Sequence, residues 1–403
     1  MQAVSQCGCQ RPRPTGAAHI LAHVKVGIVV PFSWSYWGGV NEHAYHQARA
    51  LEKLGIETQT IIGHDPAGLQ TRLLHPRAGR HDRPPADVIP IGRSVIVPAN
   101  ASLPNIVLSP SAIFRIRKLM REERFDVIHV HEPMTPATSV AALVWARCPI
   151  VATHHAAGDL GWLRYGQHFW GNLLQRVDYR IAVSEQARLS AARWFPAHYD
   201  IVPNGVQIPE TADATGRANR IVFIGRHDPR KGLEVLLRAW PEIHRRTGAR
   251  LRIIGADPLA VGLLMARTHV HEESIDVLGF IDEDELTREV ETAQLLVAPS
   301  LGQESFGMVL TRAFACATPV VASDIPGYAA VLTPETGVLV PPGDVAALVE
   351  AVSALSADEP RRRALGEAAR RLAIERYSWD DIGRRLAAIY ENLVAQARAG
   401  RAA

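Results

Sequence analysis

Cysteine is scarce in this chain, with four in 403 residues. Cys7 and Cys9 lie in a polar, proline-containing leader, and Cys148 and Cys316 in apolar segments. That distribution excludes a disulfide framework and lacks the ligand spacing of a zinc site, so a reducing cytoplasm is the natural compartment. Lysine is as rare, confined to positions 25, 53, 118 and 231, and arginine supplies the remaining positive charge. The net charge of +3 is too small for a field that gathers nucleic acid. Long apolar runs are missing as well. No segment reaches the roughly 18 apolar residues of a membrane span. Residues 1–22 lack the unbroken apolar centre of a secretory signal and read as a disordered leader. There is no short internal repeat, and no G-x-G-x-x-G follows the first apolar strand, which argues against a dehydrogenase.

What is present is a globular composition, 47% hydrophobic and 21% charged, in a chain too long for one ordinary core. The run from Val24 to Val30 is apolar and β-branched and ends at Pro31, as a buried parallel strand does. Gly38-Gly39-Val40 follows, then a helical spacing from Asn41 to Leu54 that stops at Gly55. Strand candidates recur at Thr58–Ile62, Val127–Val130, Ile150–Thr153 and Arg180–Val183, and this strand–helix alternation means α/β with a mostly parallel sheet. The alternation breaks at Pro203-Asn204-Gly205-Val206 and a polar stretch up to Asn219. A second series follows, with strands at Arg220–Ile224, Leu251–Ile254, Ile275–Leu278, Leu295–Ala298 and Val320–Ala322. Its helices fall at Leu233–Thr247, Asp284–Thr292, Phe306–Ala317 and Val345–Ala354, with a terminal helix from Trp379 to Ala395. The expected organisation is a domain over 23–205, a linker over 206–219, a second domain over 220–376, and a return segment over 377–403. Two doubly wound domains facing each other place a cleft at the carboxyl ends of both sheets, where ligands bind.

The chemistry gathers at two turns. In Gln303-Glu304-Ser305-Phe306-Gly307-Met308, a carboxylate precedes a small turn and the start of an apolar helix. The carboxylate accepts from sugar hydroxyls, while the first helical N–H groups and the macrodipole favour an anion. The bland reading of Glu304 is a helix N-cap acid. In Gly225-Arg226-His227-Asp228-Pro229-Arg230-Lys231-Gly232, two cations follow a strand end at a turn that opens a helix. Such residues are usually solvated surface charges. Here they stand where a departing diphosphate develops charge, and they stabilise that transition state with no metal required. The two turns together suggest a nucleotide-sugar site.

These strings resemble the GT-B glycosyltransferases, and within them family 4. The resemblance is carried by Gly38-Gly39-Val40, Pro203-Asn204-Gly205-Val206, Arg226 with Lys231, and Glu304-Ser305-Phe306-Gly307. A closer resemblance, to actinobacterial phosphatidylinositol α-mannosyltransferases, rests on Asp126-Val127-Ile128-His129-Val130-His131-Glu132-Pro133, on Pro149 to His155, on Ile181 to Ser184, and on Val320 to Asp324. It implies two Rossmann-like domains facing across a cleft, with the C-terminal helix crossing back to the first. It implies retaining, metal-independent hexosyl transfer, with GDP-mannose as donor, no obligatory cofactor, and a phosphatidylinositol-type lipid at the inner face of the plasma membrane as acceptor.

The resemblance also distributes roles. Gly38 and Gly39 bring backbone to the donor diphosphate, and glycine there tolerates φ > 0. Glu304 holds the sugar, with Ser305, Phe306, Gly307 and Met308 beside it, and His155 contacts the sugar near the reacting centre. Ile281 and Glu283 meet the base, where a carboxylate accepts from the guanine edge. The alternative there is an acidic helix start, Asp282 to Glu285. The family's second Glu, which holds the ribose, is replaced by Arg312, and arginine has no acceptor. His129 and His131 read as structural. The segment from Ile113 to Phe125 sets the stripe Ile113, Ile116, Leu119 and Met120 against Arg115, Arg117, Lys118, Arg121 and Arg124. That pattern fits either a core-packed helix with a solvated face or a basic helix on anionic lipid. Asn100 matches the acceptor-side loop. Two other readings stay open: a family-4 hexosyltransferase with another donor and a soluble or polysaccharide-precursor acceptor, and a silent nucleotide-sugar binder.

Overall fold

The computed structural model describes residues 24–74, 83–97, 104–156, 167–212, 216–270 and 273–402. The leader and Asn100 lie outside these residues. The first series runs β1 (Lys25–Ser33), α1 (Gly39–Lys53), β2 (Glu57–Gly63), α2 (Leu69–Leu74), β3 (Val88–Pro90), β4 (Val95–Ile96), β5 (Asn105–Ile106), α3 (Pro110–Glu122), β6 (Val127–His131), α4 (Thr138–Trp145), β7 (Ile150–His154), α5 (Gln167–Leu174), β8 (Tyr179–Ala182), α6 (Glu185–Trp194) and β9 (Asp200–Ile201). The second runs β10 (Ala218–Ile224), α7 (Leu233–Thr247), β11 (Arg250–Ile254), α8 (Pro258–Thr268), β12 (Ile275–Gly279), α9 (Glu283–Thr292), β13 (Ala293–Ala298), α10 (Met308–Ala315), β14 (Val320–Ser323), α11 (Pro326–Ala329), β15 (Gly337–Val340), α12 (Val345–Ala357), α13 (Glu359–Leu372) and α14 (Trp379–Ala402).

The front sheet has the order β3-β2-β1-β6-β7-β8-β9, with the short antiparallel pair β4–β5 attached to the end of β1. The rear sheet, β12-β11-β10-β13-β14-β15, is parallel throughout. Strand order reverses between β1 and β6 in the front sheet and between β10 and β13 in the rear one. The loops leaving those four strands therefore flank the two crevices in which open α/β sheets bind ligands. β1 continues past Pro31 to Ser33. Its register with β2 is irregular between Val29 and Ser33, so the missing N–H of Pro31 falls where the ladder is already broken.

Both faces of each sheet are covered. Under α1 and α14, Val26, Ile28 and Val30 meet Ala44, Ala48, Leu51, Ile382, Leu386 and Tyr390. The other face packs Val29, Ile61 and Val130 against Ile116, Met120 and Leu143. In the rear lobe Phe223, Leu251 and Leu295 bury Leu236, Leu237 and Trp240 of α7. A further cluster joins Ala182, Val183 and Ala187 of the front lobe to Phe306, Leu310, Tyr328 and Tyr377 of the rear one.

The crossing back of the chain explains the Pro-Asn-Gly-Val string. Val206 pairs with Ser378 in a parallel bridge, and the Val206 N–H donates to the Tyr377 carbonyl at 2.7 Å. Trp379, the first residue of α14, lies flat against Gly205. A Cβ added there would stand 2.4 Å from Trp379 Cδ2. Overpacking of this kind costs about 1–3 kcal/mol. We therefore expect Gly205→Ala to lower the urea midpoint measurably, with Trp379→Leu restoring part of the loss; an unchanged midpoint would refute the contact.

Candidate functional site

The rear half of the site is two loops fastened together. After β10 the chain runs through Gly225, Arg226 and a single 3-10 turn, Pro229–Lys231, capped by the Asp228 side chain, which accepts from Arg230 N. Gly232 then has φ of +69°, and a Cβ would lie 1.8 Å from the Pro299 carbonyl oxygen. Only glycine fits, and its absence of side chain lets the loop after β13 come into contact. Leu301 N donates to Arg230 O at 2.7 Å, and Lys231 Nζ donates to Glu304 Oε1 at 2.6 Å. Lys231 and Glu304 side chains retain 27% and 16% exposure, so the pair is sheltered yet reachable. Gln303 beside it holds a left-handed φ of 58°, strain of the kind that collects at binding loops. Phe306 buries its ring against Tyr377, leaving its backbone for a ligand. Gly307 caps α10, whose first N–H groups have no intrahelical partner. Arg226 is exposed at the end of β10.

The front half comes from the ends of β1, β6 and β7. Gly38 is the N-cap of α1, with φ −153° and ψ 167°. Neither Gly38 nor Gly39 takes a positive φ, so the expected left-handed turn is not used. The chain enters α1 from extended backbone, and what glycine supplies is open space, since nothing lies within 4 Å of a Cβ at Gly38. Behind it sits a buried histidine cluster. His129 Nε2 and Thr153 Oγ1 are 2.6 Å apart, and His129 Nδ1 stands 2.9 Å from Gln47 Nε2 and 2.5 Å from the Tyr390 hydroxyl. His131 Nδ1 and His155 Nε2 share a hydrogen bond of 2.8 Å, with the His43 ring edge-on to both. Burial, then the nearby His43, His129 and His154, hold His155 well below the usual imidazole range; burial pushes His43 down to about 4. His155 is thus a neutral hydrogen-bonding ring, 8% exposed. Glu132 aims it: its Oε1 accepts from His155 N and Ala156 N, both at 2.8 Å.

His43, His131 and His155 bring one nitrogen each within 4.8 Å of one another and are the described residues able to hold a metal ion. Two of those three rings already use nitrogens on each other, and the cluster reads as a hydrogen-bonded scaffold beneath the site.

The halves meet. A Cβ at Gly39 would sit 3.2 Å from Met308 Sδ. The Ser184 and Ser305 hydroxyls are 3.3 Å apart. Arg312 on α10 donates to Glu42 Oε1 on α1 at 2.7 Å and also pairs with Glu283.

Two family profiles match the chain: "Glycosyltransferase Family 4" over residues 37–209 and "Glycosyl transferases group 1" over residues 218–358. The chain is 32% identical over 381 residues to a protein of Mycobacterium leprae named phosphatidyl-myo-inositol mannosyltransferase, covering 92% of this chain and 97% of that one. It belongs to glycosyltransferase family 4. The protein of that name from Mycolicibacterium smegmatis is 30% identical, with 92% and 94% covered. A sucrose-phosphate synthase structure from Thermosynechococcus elongatus superposes with a TM-score of 0.70 at 20% identity, covering 93% of this chain and all of that one. The fold is GT-B, with α14 crossing back onto the front lobe.

Within this glycosyltransferase, Lys231 is joined directly to Glu304, Ser305 faces Ser184 of the front lobe, and Met308 meets Gly39. Arg312 reaches neither Glu304 nor an open phosphate position; its guanidinium is engaged by two carboxylates. Glu283, expected at the guanine edge, is the first residue of α9 behind the Asp282 cap and is the second partner of Arg312. Ile281 is half-buried over Val222 and Ile254. The basic helix α3 starts earlier than expected, where Ser109 caps it and Pro110 opens it. It buries Ile116 and Met120 and exposes Arg115, Arg117, Lys118 and Arg121. Arg115 also donates to Pro90 O at 3.0 Å, and Arg117 lies over the Trp145 ring. The glycosyltransferase's Glu42 and Glu132 went unread in sequence. Glu132 had a signal, since it directly follows a strand that ends in histidine; Glu42, 270 residues from its partner, had none.

Proposed function

We propose that this glycosyltransferase moves mannose from GDP-mannose, with retention, to a phosphatidylinositol-type lipid. The observation that carries the reading is the Lys231–Glu304 pair. It is held by Gly232 against the loop after β13, and its Glu304 lies four residues before the start of α10, whose Met308 in turn meets Gly39 at the start of α1. Glu304 takes sugar hydroxyls, while Lys231, Arg226 and the helix N–H groups take the diphosphate. The bond from the sugar C1 to the diphosphate oxygen breaks as the acceptor oxygen bonds C1 on the same face, and the acceptor proton passes to the departing phosphate oxygen. Fixed cations stabilise the charge that grows on that oxygen, so the reading needs no metal. His155 is proposed as a neutral contact to the sugar.

The names of the relatives support mannose and the lipid headgroup. A second support lies on the front lobe. Leu69, Leu73, Val95, Ile96 and Phe114 are exposed together with Arg115, Lys118 and Arg121, around a cavity of about 660 Å³ lined partly by the half-buried Arg93 and by Ser94, Ser109, Ser111 and Arg115. Apolar side chains among cations suit an anionic bilayer surface, at about 1 kcal/mol per basic residue near it. No described helix is long and apolar enough to cross a membrane. The protein is expected to sediment with vesicles containing phosphatidylinositol and to stay in solution with phosphatidylcholine alone. Replacing Arg115, Arg117, Lys118 and Arg121 by Ser should release it. Equal sedimentation with both vesicles, or none with either, rules out the lipid acceptor and favours a soluble one.

A further inference from the structure

Arg312 is 14% exposed and clamped between Glu42, 22% exposed, and Glu283, 42% exposed. Two carboxylates on one guanidinium leave a net negative charge in the cleft, and His46 lies close enough to feel both Glu283 and Arg312. Buried ion triads that serve packing alone gain little over apolar residues, so the surplus carboxylate calls for a ligand. Glu42 is the anchored member: burial raises its pKa and Arg312 opposes the rise. Glu283 is the open member, and its bond to Arg312 occupies one oxygen, Oε1.

The place of Arg312 on α10 limits what its partner Glu283 can meet. Arg312 stands four residues after Met308 on α10, about 6 Å along the helix axis from the N–H groups proposed to hold the diphosphate. A nucleoside attached to that diphosphate brings its ribose within this distance. A cis-diol offers two donors, and an ionised carboxylate is the side chain with acceptors enough for both. We infer that Glu283 accepts the ribose hydroxyls of the donor nucleotide, and that Arg312 is the positioning residue that turns Glu283 to them and ties it to Glu42 across the cleft. This rests on the nucleotide-sugar reading above. It makes a hydroxyl-bearing ribose, and not only a base, a requirement of the site.

The test compares dissociation constants of GDP and 2′,3′-dideoxy-GDP by calorimetry. Losing two bonds to a charged acceptor is expected to weaken the dideoxy nucleotide by about a hundredfold or more. In Glu283→Ala that ratio should fall to near one, with dideoxy-GDP binding unchanged. Arg312→Met should lose the ratio, and Arg312→Lys should recover part of it; a role confined to folding would not separate the two nucleotides. A wild-type ratio near one, or a ratio kept in Glu283→Ala, overturns the inference while leaving the nucleotide-sugar reading intact. Loss of the preference for GDP over inosine diphosphate in Glu283→Ala, with the diol ratio kept, moves Glu283 to the base and also overturns it. Failure of both GDP and UDP to bind the wild-type protein removes the nucleotide-sugar reading itself.

Discussion

Lys231→Ala is expected to reduce kcat/KM for transfer from GDP-mannose by 10³ or more while leaving the unfolding midpoint within experimental scatter. Removing one preorganised donor from a developing anion costs roughly 10²–10³. Here the loss is compounded, because Lys231 also neutralises Glu304 at 2.6 Å. Without the ammonium, the Glu304 carboxylate faces the diphosphate directly and repels it. Stability has little to lose, because partly exposed ion pairs are worth about 0–1 kcal/mol and the local backbone is set by Gly232 and Asp228, which the substitution leaves alone. Lys231→Arg keeps the charge but not the compact ammonium that meets one carboxylate oxygen, and should retain more activity than alanine. The measurement is nucleoside diphosphate release with phosphatidylinositol vesicles, alongside urea unfolding. Turnover of Lys231→Ala within tenfold of wild type would remove the diphosphate from this loop.

The same residues show what a sequence makes legible. α7 is read to the residue because Gly232 and Gly248 bracket one amphipathic run. Strands β1, β6, β7, β10 and β13 are apolar runs because parallel strands are covered on both faces. The GT-B fold follows from that alternation together with motif strings that stand at strand ends. The elements missed in sequence are those whose pattern the environment interrupts. β4 and β5 contribute two residues each, too few for a period. α8 exposes Leu259 and Leu263, so its apolar face does not announce itself, and α13 begins at a Glu-Pro pair in an arginine-rich segment.

In the site, local chemistry was legible and long-range partners were not. Glu304 and Lys231 read from their turns as parts of one nucleotide-sugar site, but nothing in sequence shows that these two side chains, 73 positions apart, bond each other directly. His129 looked structural because it alternates on a strand, and it is: it reaches Tyr390 of α14, 261 positions away. Arg312 looked like a loss of function at an acceptor position. Its two carboxylate partners, one from each lobe, are 270 and 29 positions away, and no local pattern announces either.

Acid should unfold the front lobe first. His43, His129 and His154 are fully buried there, and burial pushes them down to about 4, about 3 and about 3; His131 and His155 shift the same way. Burial holds them neutral first, helped by the neighbouring His46 at His43, by His43 at His129 and by Arg180 at His154, and it outweighs the hydrogen bonds from Asn204 and Gln47 that favour charge on His43. An unfolded histidine titrates near 6.5. Below that pH the unfolded chain binds protons that the folded lobe refuses, so the contribution is complete above about 6.5 and lost as pH falls towards the folded values. Each histidine costs about 1.4 kcal/mol per pH unit in that window. The three with values between about 3 and 4 together remove roughly 4 kcal/mol between pH 6 and pH 5, against a typical total of about 5–15 kcal/mol. Glu132 and Glu42, whose pKa values burial raises, act in the opposite sense but are outnumbered. Among the described residues, the shifted histidines all lie in the front lobe. Hydrogen exchange at pH 5 should therefore show β6 and β7 losing protection while β10 and β13 keep theirs. Replacing His129 by Asn, which keeps bonds to Thr153 or Tyr390 without a titrating ring, should flatten the pH dependence. Equal loss in both sheets, or an unaltered pH slope in His129→Asn, would show that the buried imidazoles do not set the acid limit.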